Sequence, residues 1–399
     1  MVVVPDVDYS LLVPKELRSH AWVLTHNLFS VIRIDGRGAL SSEILRKLLG
    51  RNSAAIMQKF EGTLIELERD YSAGYHCRFY RFVPGFTRFC CKTITDPLLV
   101  RAWFRNTVNR KQPIHRWLDQ ILADDKLEFD SDGANEHLDR LTNHEFLALD
   151  KSCSMENYVA GVRQSIARAG NLRKLYLAQS LSLSTVDEFG HRYHTPLTSL
   201  PKRYRGYFRW SGEPLVNVDI RNSQPLFLCL AFAKAGGEIK DDWKRYKDLC
   251  ERGCLYESLN WSNIDRAEFK ERFFEEVLFS KPETVLYKKF AQKFFTEFES
   301  VFQFIFDLKN PKPSRQLKGK DREKPHRLLA KHLQRAESQF MFEQVVPSLM
   351  AQGIRPVIPI HDSVLTTEEH APAVENTIRA EFKRVRFKCE VRVESTVEE

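Results

Sequence analysis

Two apolar, β-branched runs far apart in the chain each carry one aspartate. The first is Leu215-Val216-Asn217-Val218-Asp219-Ile220, which continues into Arg221-Asn222-Ser223-Gln224-Pro225-Leu226. The second is Pro356-Val357-Ile358-Pro359-Ile360-His361-Asp362-Ser363-Val364-Leu365. Runs of this composition predict buried strands. A carboxylate at the end of such a strand is costly unless a cation or hydrogen bonds compensate it. Taken singly, either aspartate reads as a strand-end or turn residue. Taken together on neighbouring strands, Asp219 and Asp362 would share divalent metal ions, the arrangement that serves phosphoryl transfer.

The rest of the composition narrows the class. With 43% hydrophobic and 29% charged residues, the chain fits a globular protein and not a disordered one. Its 399 residues suffice for two or three domains. No apolar run approaches the roughly 20 residues that span a bilayer, so no membrane partner is expected. The opening Met1-Val2-Val3-Val4-Pro5-Asp6 has no basic flank and no long apolar core. A cytoplasmic location, in a bacterial or phage-infected cell, is the expectation. The eight cysteines are scattered, with Cys90 beside Cys91 and Cys250 four residues before Cys254, and no second pair or histidine cluster completes a zinc site. They read as reduced, mostly buried thiols.

Charge is concentrated. Between Lys309 and Arg335 stand ten Lys and Arg against two Asp and Glu, which accounts for the whole net charge of +8. This segment, with Lys318 and Lys320 at its centre, is the candidate for polyanion contact. Pro311, Pro313, Gly319 and Pro325 interrupt regular structure there, so it also reads as a solvated loop. A basic loop can still grip a phosphate backbone.

The expected organisation has five parts. Residues 1–95 read as helices over 16–34, from Ser41 to Gly50 and from Ala54 to Gly62, followed by a hairpin through Leu64–Leu67 and Arg78–Phe82 around a turn at Tyr71–Tyr75. That order resembles the winged helix-turn-helix, which would set a third helix near Asn52 to Lys59 in a DNA major groove or dock a replication-protein partner. Residues 96–180 read as mostly helical, with a break at Asp130-Ser131-Asp132-Gly133 and no visible chemistry. Residues 181–235 shift to strand and turn. Residues 236–325 read as long helices followed by the basic loop. Residues 326–399 read as a long helix, a strand over 356–366, a helix over about 371–385 and a last strand over 386–394. No internal repeat is present.

Gly212-Glu213-Pro214-Leu215-Val216-Asn217-Val218-Asp219, with Ser223-Gln224 after it, is similar to motif A of family A DNA polymerases. Ile360-His361-Asp362-Ser363 is similar to their motif C, in the His-Asp-Ser form of single-subunit phage-type RNA polymerases. The resemblance covers about residues 186–399. It implies an α+β fold whose core is the palm of a right-hand polymerase, an antiparallel sheet with helices, joined to helical fingers. It implies a nucleotidyltransferase of compact phage or mobile-element type, with DNA synthesis favoured and an RNA polymerase or primase variant open. Asp219, the Ile220 backbone carbonyl and Asp362 would hold two Mg²⁺ ions, with Mn²⁺ able to substitute. The partners implied are a primer–template nucleic acid and dNTP or NTP.

Further residues follow from the same resemblance. Gly190-His191-Arg192-Tyr193-His194-Thr195 is similar to the Gly-Arg turn that contacts primer and template, so Arg192 is carried over. Lys202, Arg203 and Arg205 interleave with Tyr204, Tyr207 and Phe208, a mix suited to backbone contact and stacking, or to a helix with aromatics inside. Arg266, Lys270 and Phe274 are spaced to share one helical face, as in the fingers helix that holds the triphosphate. Phe279-Ser280 then stands one residue away from the family's Tyr-Gly. Arg335, Glu337 and Ser338 would face the active site on the preceding long helix, and His361 would lie against the primer. Two departures stand out: Ser363 leaves no third acid after Asp362, as in phage-type polymerases, and Arg221-Asn222-Ser223-Gln224-Pro225 is two residues longer than a Ser-Gln directly after motif A requires; no Glu lies within ten residues after Asp219 either. Sugar choice is thus open, with Gln224 the residue expected nearest the ribose. No acidic cluster in the N-terminal half resembles a proofreading nuclease. The competing readings are a DNA-binding replication initiator with an inactive palm and, more remotely, a His-Asp metal phosphohydrolase.

Overall fold

The computed structural model describes residues 2–5, 7–30, 37–40, 46, 50–67, 78–82, 89–92, 94–97, 99, 111–147, 175, 184–238, 240–259, 264–310 and 325–396. The fold is mixed α+β, and it divides into two compact units. Unit one takes residues 1–107, 129–180 and 199–207; unit two takes 108–128, 181–198 and 208–399. The stretch read from sequence as one helical region, 96–180, is thus shared between the units. Among the described residues no helix is long and apolar enough to cross a membrane.

In unit one, helix Arg18–Ser30, strand Arg37–Leu40, helix Asn52–Phe60 and strands Ile65–Leu67 and Arg78–Phe82 follow one another. Arg78–Phe82 lies at the centre of a three-stranded antiparallel sheet, flanked by Arg37–Leu40 and Ile65–Leu67. Ile56 and Phe60, one helical turn apart, are buried on one face, while Ala54, Ala55, Gln58 and Lys59 stay exposed. They pack with Val4, Tyr9, Leu24, Ile65 and Tyr80 into one core. The turn at Tyr71–Tyr75 and most of the segment from Ser41 to Gly50 lie outside the described residues. The break expected at Asp130–Gly133 is instead a helix start: helix Ser131–Leu147 begins there, and the Asp130 carboxylate accepts the Gly133 N–H at 2.9 Å.

Unit two is built on strands β1 (Phe208–Trp210), β2 (Glu213–Ile220), β3 (Ile358–Ile360), β4 (Ser363–Thr367) and β5 (Val391–Ser395). Its principal helices are α1 (Ser223–Lys234), α2 (Asp241–Glu251), α3 (Arg266–Arg272), α4 (Arg327–Phe340) and α5 (Ala371–Arg384). The strand order is β3-β4-β2-β1, continuing to Leu127–Phe129, and β5 also pairs with β2. All pairings among β1 to β5 are antiparallel. β2 is therefore central, as its buried Leu215, Val218 and Ile220 require.

The segment 356–366, read from sequence as one strand, is two. It folds back at His361-Asp362, so that Ile360 pairs with Ser363. The long helices expected over 236–310 are shorter pieces, among them α2, α3, Lys289–Glu297 and Glu299–Lys309. α1 is buried from Ser223 to Ala231 on every side, as befits an interior helix. Aromatic rings tie α1, α4 and α5 together: Phe340 and Phe382 have centroids 4.3 Å apart, and Phe227 lies 5.7 Å from Phe340 and 6.0 Å from Phe382. All three are buried. Phe382→Ala, which empties the middle of this group, is expected to lower unfolding stability by about 3–5 kcal/mol in a urea denaturation experiment.

Candidate two-aspartate site

The end of β2 and the β3–β4 turn form one edge. Asp219 stands opposite Ser363 on β4 and Arg392 on β5. The Ile220 N–H reaches the Asp362 carbonyl at 3.4 Å. A two-residue turn joining antiparallel strands needs positive φ at its first central residue, usually a glycine. Here that residue is His361, at φ 58°, and the Ser363 hydroxyl donates to the Ile360 carbonyl at 3.1 Å to close the turn. A non-glycine residue held in this region stores backbone strain, and such strain collects at functional sites. The turn sets Asp362 beside the end of β2. Both aspartates are half-buried and line one cavity of about 560 Å³.

The opposite wall is α3 and the turn after it. Asp265 caps α3, its carboxylate accepting the Ala267 and Glu268 N–H groups at 3.1 and 3.0 Å. Arg266, Lys270 and Phe274 all line the cavity that holds Asp219 and Asp362. Arg266 already donates to Glu257 at 2.7 Å, and Arg221 donates to the same oxygen at 2.8 Å. Lys270 is exposed; its ammonium lies 6.0 Å above the Phe274 ring, and among the described residues it makes no ion pair. Phe273–Leu278 is a π-helical turn, closed by the Phe279 N–H on the Phe274 carbonyl at 2.7 Å. A π turn holds one residue more than an α turn.

The floor is organised by Glu337, only 1% exposed. Its carboxylate accepts Arg192 Nη2 at 2.6 Å and Nε at 3.0 Å, the Ser223 hydroxyl at 3.4 Å, and Gln224 Nε2. Burial raises its pKa to about 7, the nearby Asp362 charge adds to that, and Arg192 and Gln224 oppose it. Arg192 comes from a turn built around Asp187, whose carboxylate accepts the Gly190 N–H at 2.6 Å and the Arg192 N–H at 3.1 Å and lies 2.8 Å from His194 Nε2. Gly190 is required there: a Cβ would fall 2.6 Å from Gln334 Oε1 and 2.9 Å from Gln334 Cβ on α4.

The sequence-predicted residues therefore separate into groups. Asp219, Ile220, Asp362, Gln224, Arg266, Lys270, Phe274, Arg192 and His361 share the cavity. Arg192 is paired with Glu337 through its Nε and Nη2, which leaves Nη1 outside that pair. Glu337 also lines this cavity, as the position of its helix suggests, and it is almost wholly buried, an internal clasp. Arg335 turns away from the aspartates. It donates to the Phe189 and Glu188 carbonyls at 2.9 and 2.8 Å and lines a separate cavity with His115 and His191. Arg205 belongs to unit one, where its Nε donates to the Leu200 carbonyl at 3.3 Å. Lys318 and Lys320 lie outside the described residues. Lys309, at the start of the basic segment, is buried against the Val277 carbonyl and the Ser280 hydroxyl, and burial lowers its pKa to about 7.

Sequence reasoning missed the part played by Asn222, Tyr256, Arg392 and Glu394, which also line the cavity. It set Glu337 on the helix facing the site, where Glu337 does line the cavity, but it passed over the signal for burial. Leu329, Leu333 and Glu337 fall one turn apart on the buried stripe of α4, where an acid is out of place unless it is paired.

Among the described residues no group of three or more His, Cys, Asp or Glu forms a closed cation cage. Mg²⁺ seldom needs one. It is commonly held by one or two carboxylates together with substrate phosphates. Two half-buried carboxylates on adjacent strands, open to a cavity that also contains Lys270, fit that mode of binding. No protein-family model and no curated protein matches this chain.

Glu337 makes stability depend on pH in a predictable direction. Between its ordinary value of 4.5 and about 7, the folded chain keeps a proton that the unfolded chain has released. Stability therefore falls as pH rises through that window. Glu337→Gln cannot titrate, so urea denaturation at stepped pH should show this decline reduced by up to about 3 kcal/mol across the window.

Proposed function

We propose that the chain is a template-directed nucleotidyltransferase of the family A type, which extends a nucleic-acid primer by phosphoryl transfer. One observation carries the reading: Asp219 and Asp362 face the same cavity as Arg266, Lys270 and Phe274. A carboxylate pair opposite a cationic and aromatic helix face is what a nucleoside triphosphate requires, since its phosphates need positive charge and its base an apolar surface. The antiparallel sheet backed by helices supports the palm reading, and the helices around α3 support the fingers.

Two Mg²⁺ ions, when bound by Asp219, Asp362 and the Ile220 carbonyl, supply the charge that acidifies a primer 3′-hydroxyl and stabilises the triphosphate in transit. The protein groups do the rest. Lys270, unencumbered by an acid, meets the phosphate oxygens. Arg266 shares its charge between Glu257 and the cavity. Phe274 offers a face to the base. Glu337 fixes Arg192 and Gln224, so that these side chains are held in place before substrate arrives. The element order of unit one supports a winged-helix module, whose partner is duplex DNA or a replication protein. The resemblance favours a DNA primer and template.

Primer extension tests this. Asp219→Asn or Asp362→Asn should each reduce incorporation by about 10³-fold or more without loss of folding. Lys270→Ala should raise the nucleotide KM by about tenfold while leaving primer binding unchanged. A wild-type chain inert with both Mg²⁺ and Mn²⁺, yet still binding duplex DNA, would favour the initiator with an inactive palm.

A further inference from the structure

The start of α1 presents the cavity with polar atoms that nothing among the described residues satisfies. Asn222 is only 5% exposed, and neither its Nδ2 nor its Oδ1 has a hydrogen-bond partner among the described residues. Gln224 is 8% exposed, and its Oε1 is likewise unpartnered. Both residues line the cavity of the two aspartates. The orientation of Gln224 follows once Glu337 is ionised, above about pH 7. Its Nε2 faces the Glu337 carboxylate, which accepts, so the carbonyl oxygen is the end left over. For Asn222 the orientation does not matter, because both ends are unpaired.

Asn222 is also held in an unusual way. It occupies the N-cap position of α1, where an asparagine side chain ordinarily accepts a hydrogen bond from the first turn. Here its φ is 52°, in the left-handed region, and it makes no such cap bond. A side chain suited to capping is thus withheld from the helix and left beside the cavity. Buried polar groups without partners are uncommon and call for a ligand or water. Two such residues, at one helix end and on one cavity wall, point to a ligand.

The donor and acceptor count identifies its chemistry. The unpaired set is two acceptors, Asn222 Oδ1 and Gln224 Oε1, with one donor, Asn222 Nδ2. A carboxylate or phosphate offers no hydrogen to either acceptor, and an ammonium offers nothing to the donor. A hydroxyl both donates and accepts, but it carries a single hydrogen. Two acceptors need two hydroxyls. A ribose with its 2′- and 3′-hydroxyls supplies both hydrogens and accepts from Nδ2, whereas a 2′-deoxyribose leaves one buried acceptor unpaired.

We infer that Asn222 and Gln224 read the vicinal hydroxyls of the incoming nucleotide, which makes ribonucleoside triphosphates the preferred substrate. The inference rests on the nucleotidyltransferase reading and reverses the sugar preference that the sequence resemblance favours. Glu337 acts as a positioning residue, holding Gln224 with its acceptor turned to the sugar. A site built to bond a hydroxyl discriminates strongly against the analogue that lacks it, because its own buried groups are then stranded.

Calorimetric binding of ATP and 2′-deoxy-ATP to the full chain, with Ca²⁺ present to allow binding without turnover, tests this. ATP should bind at least about tenfold more tightly, the equivalent of one lost hydrogen bond. Of Asn222→Leu and Gln224→Leu, the one that removes the partner of the 2′-hydroxyl should narrow that ratio. Should a variant fail to fold, the wild-type ratio decides alone. Equal binding of the two nucleotides, or tighter binding of 2′-deoxy-ATP, overturns the sugar inference and leaves the nucleotidyltransferase reading intact. Failure to bind either nucleotide overturns both.

Discussion

The register of β2 against β4 is the constraint on which the site depends. Asp219 lies opposite Ser363, so Asp362 is one residue from the matched pair. Side chains alternate across a strand, and a slip of one residue would send Asp219 to the other side of the sheet. The register is held by burial. Leu215 shares the face of β2 that carries Asp219, Val218 and Ile220 take the other, and Val364 and Leu365 likewise lie on opposite faces of β4, so both faces of this pair are packed. β5 pairs with β2 along the other edge and fixes it a second time. The apolar residues that build the sheet therefore also set where two carboxylates stand. A purely structural core and a reactive edge arise from the same alternation.

Around that edge the protein spends stability on placement. His361 adopts a left-handed conformation to close the β3–β4 turn, and Asn222 does the same at the start of α1. Glu337 is buried with its pKa lifted to about 7, and it engages Arg192, Ser223 and Gln224 at once. Each feature costs the fold something, and each borders the same cavity. Their concentration in one place separates a prepared site from an ordinary surface cleft. Phe227 and Phe340 lie on the same helices as Gln224 and Glu337, and both contact Phe382 of α5, so tight packing there keeps the polar groups in position.

Much of this was legible in the sequence because it rests on local pattern. The β-branched runs located β2 and the segment that folds into β3 and β4, and the spacing of Arg266, Lys270 and Phe274 put them on one helical face. What the sequence hid was pairing at a distance. Arg335 looks as available as Lys270 in the chain, yet two backbone carbonyls at Glu188 and Phe189 take it up. Lys309 counts as one more charge in a basic segment, but it is buried against Val277 and Ser280. The hairpin break at His361-Asp362 escaped notice because no glycine marks it. The π turn at Phe273–Leu278 has no local pattern that names it.

The central claim is that Asp219 and Asp362 hold divalent ions in common. Anomalous scattering from crystals grown with Mn²⁺ and a non-hydrolysable nucleotide addresses it directly. The account predicts manganese within coordinating distance of both carboxylates, and its loss from that position in Asp362→Asn. Manganese bound elsewhere, or held by one of the two aspartates with the other turned away, would contradict it.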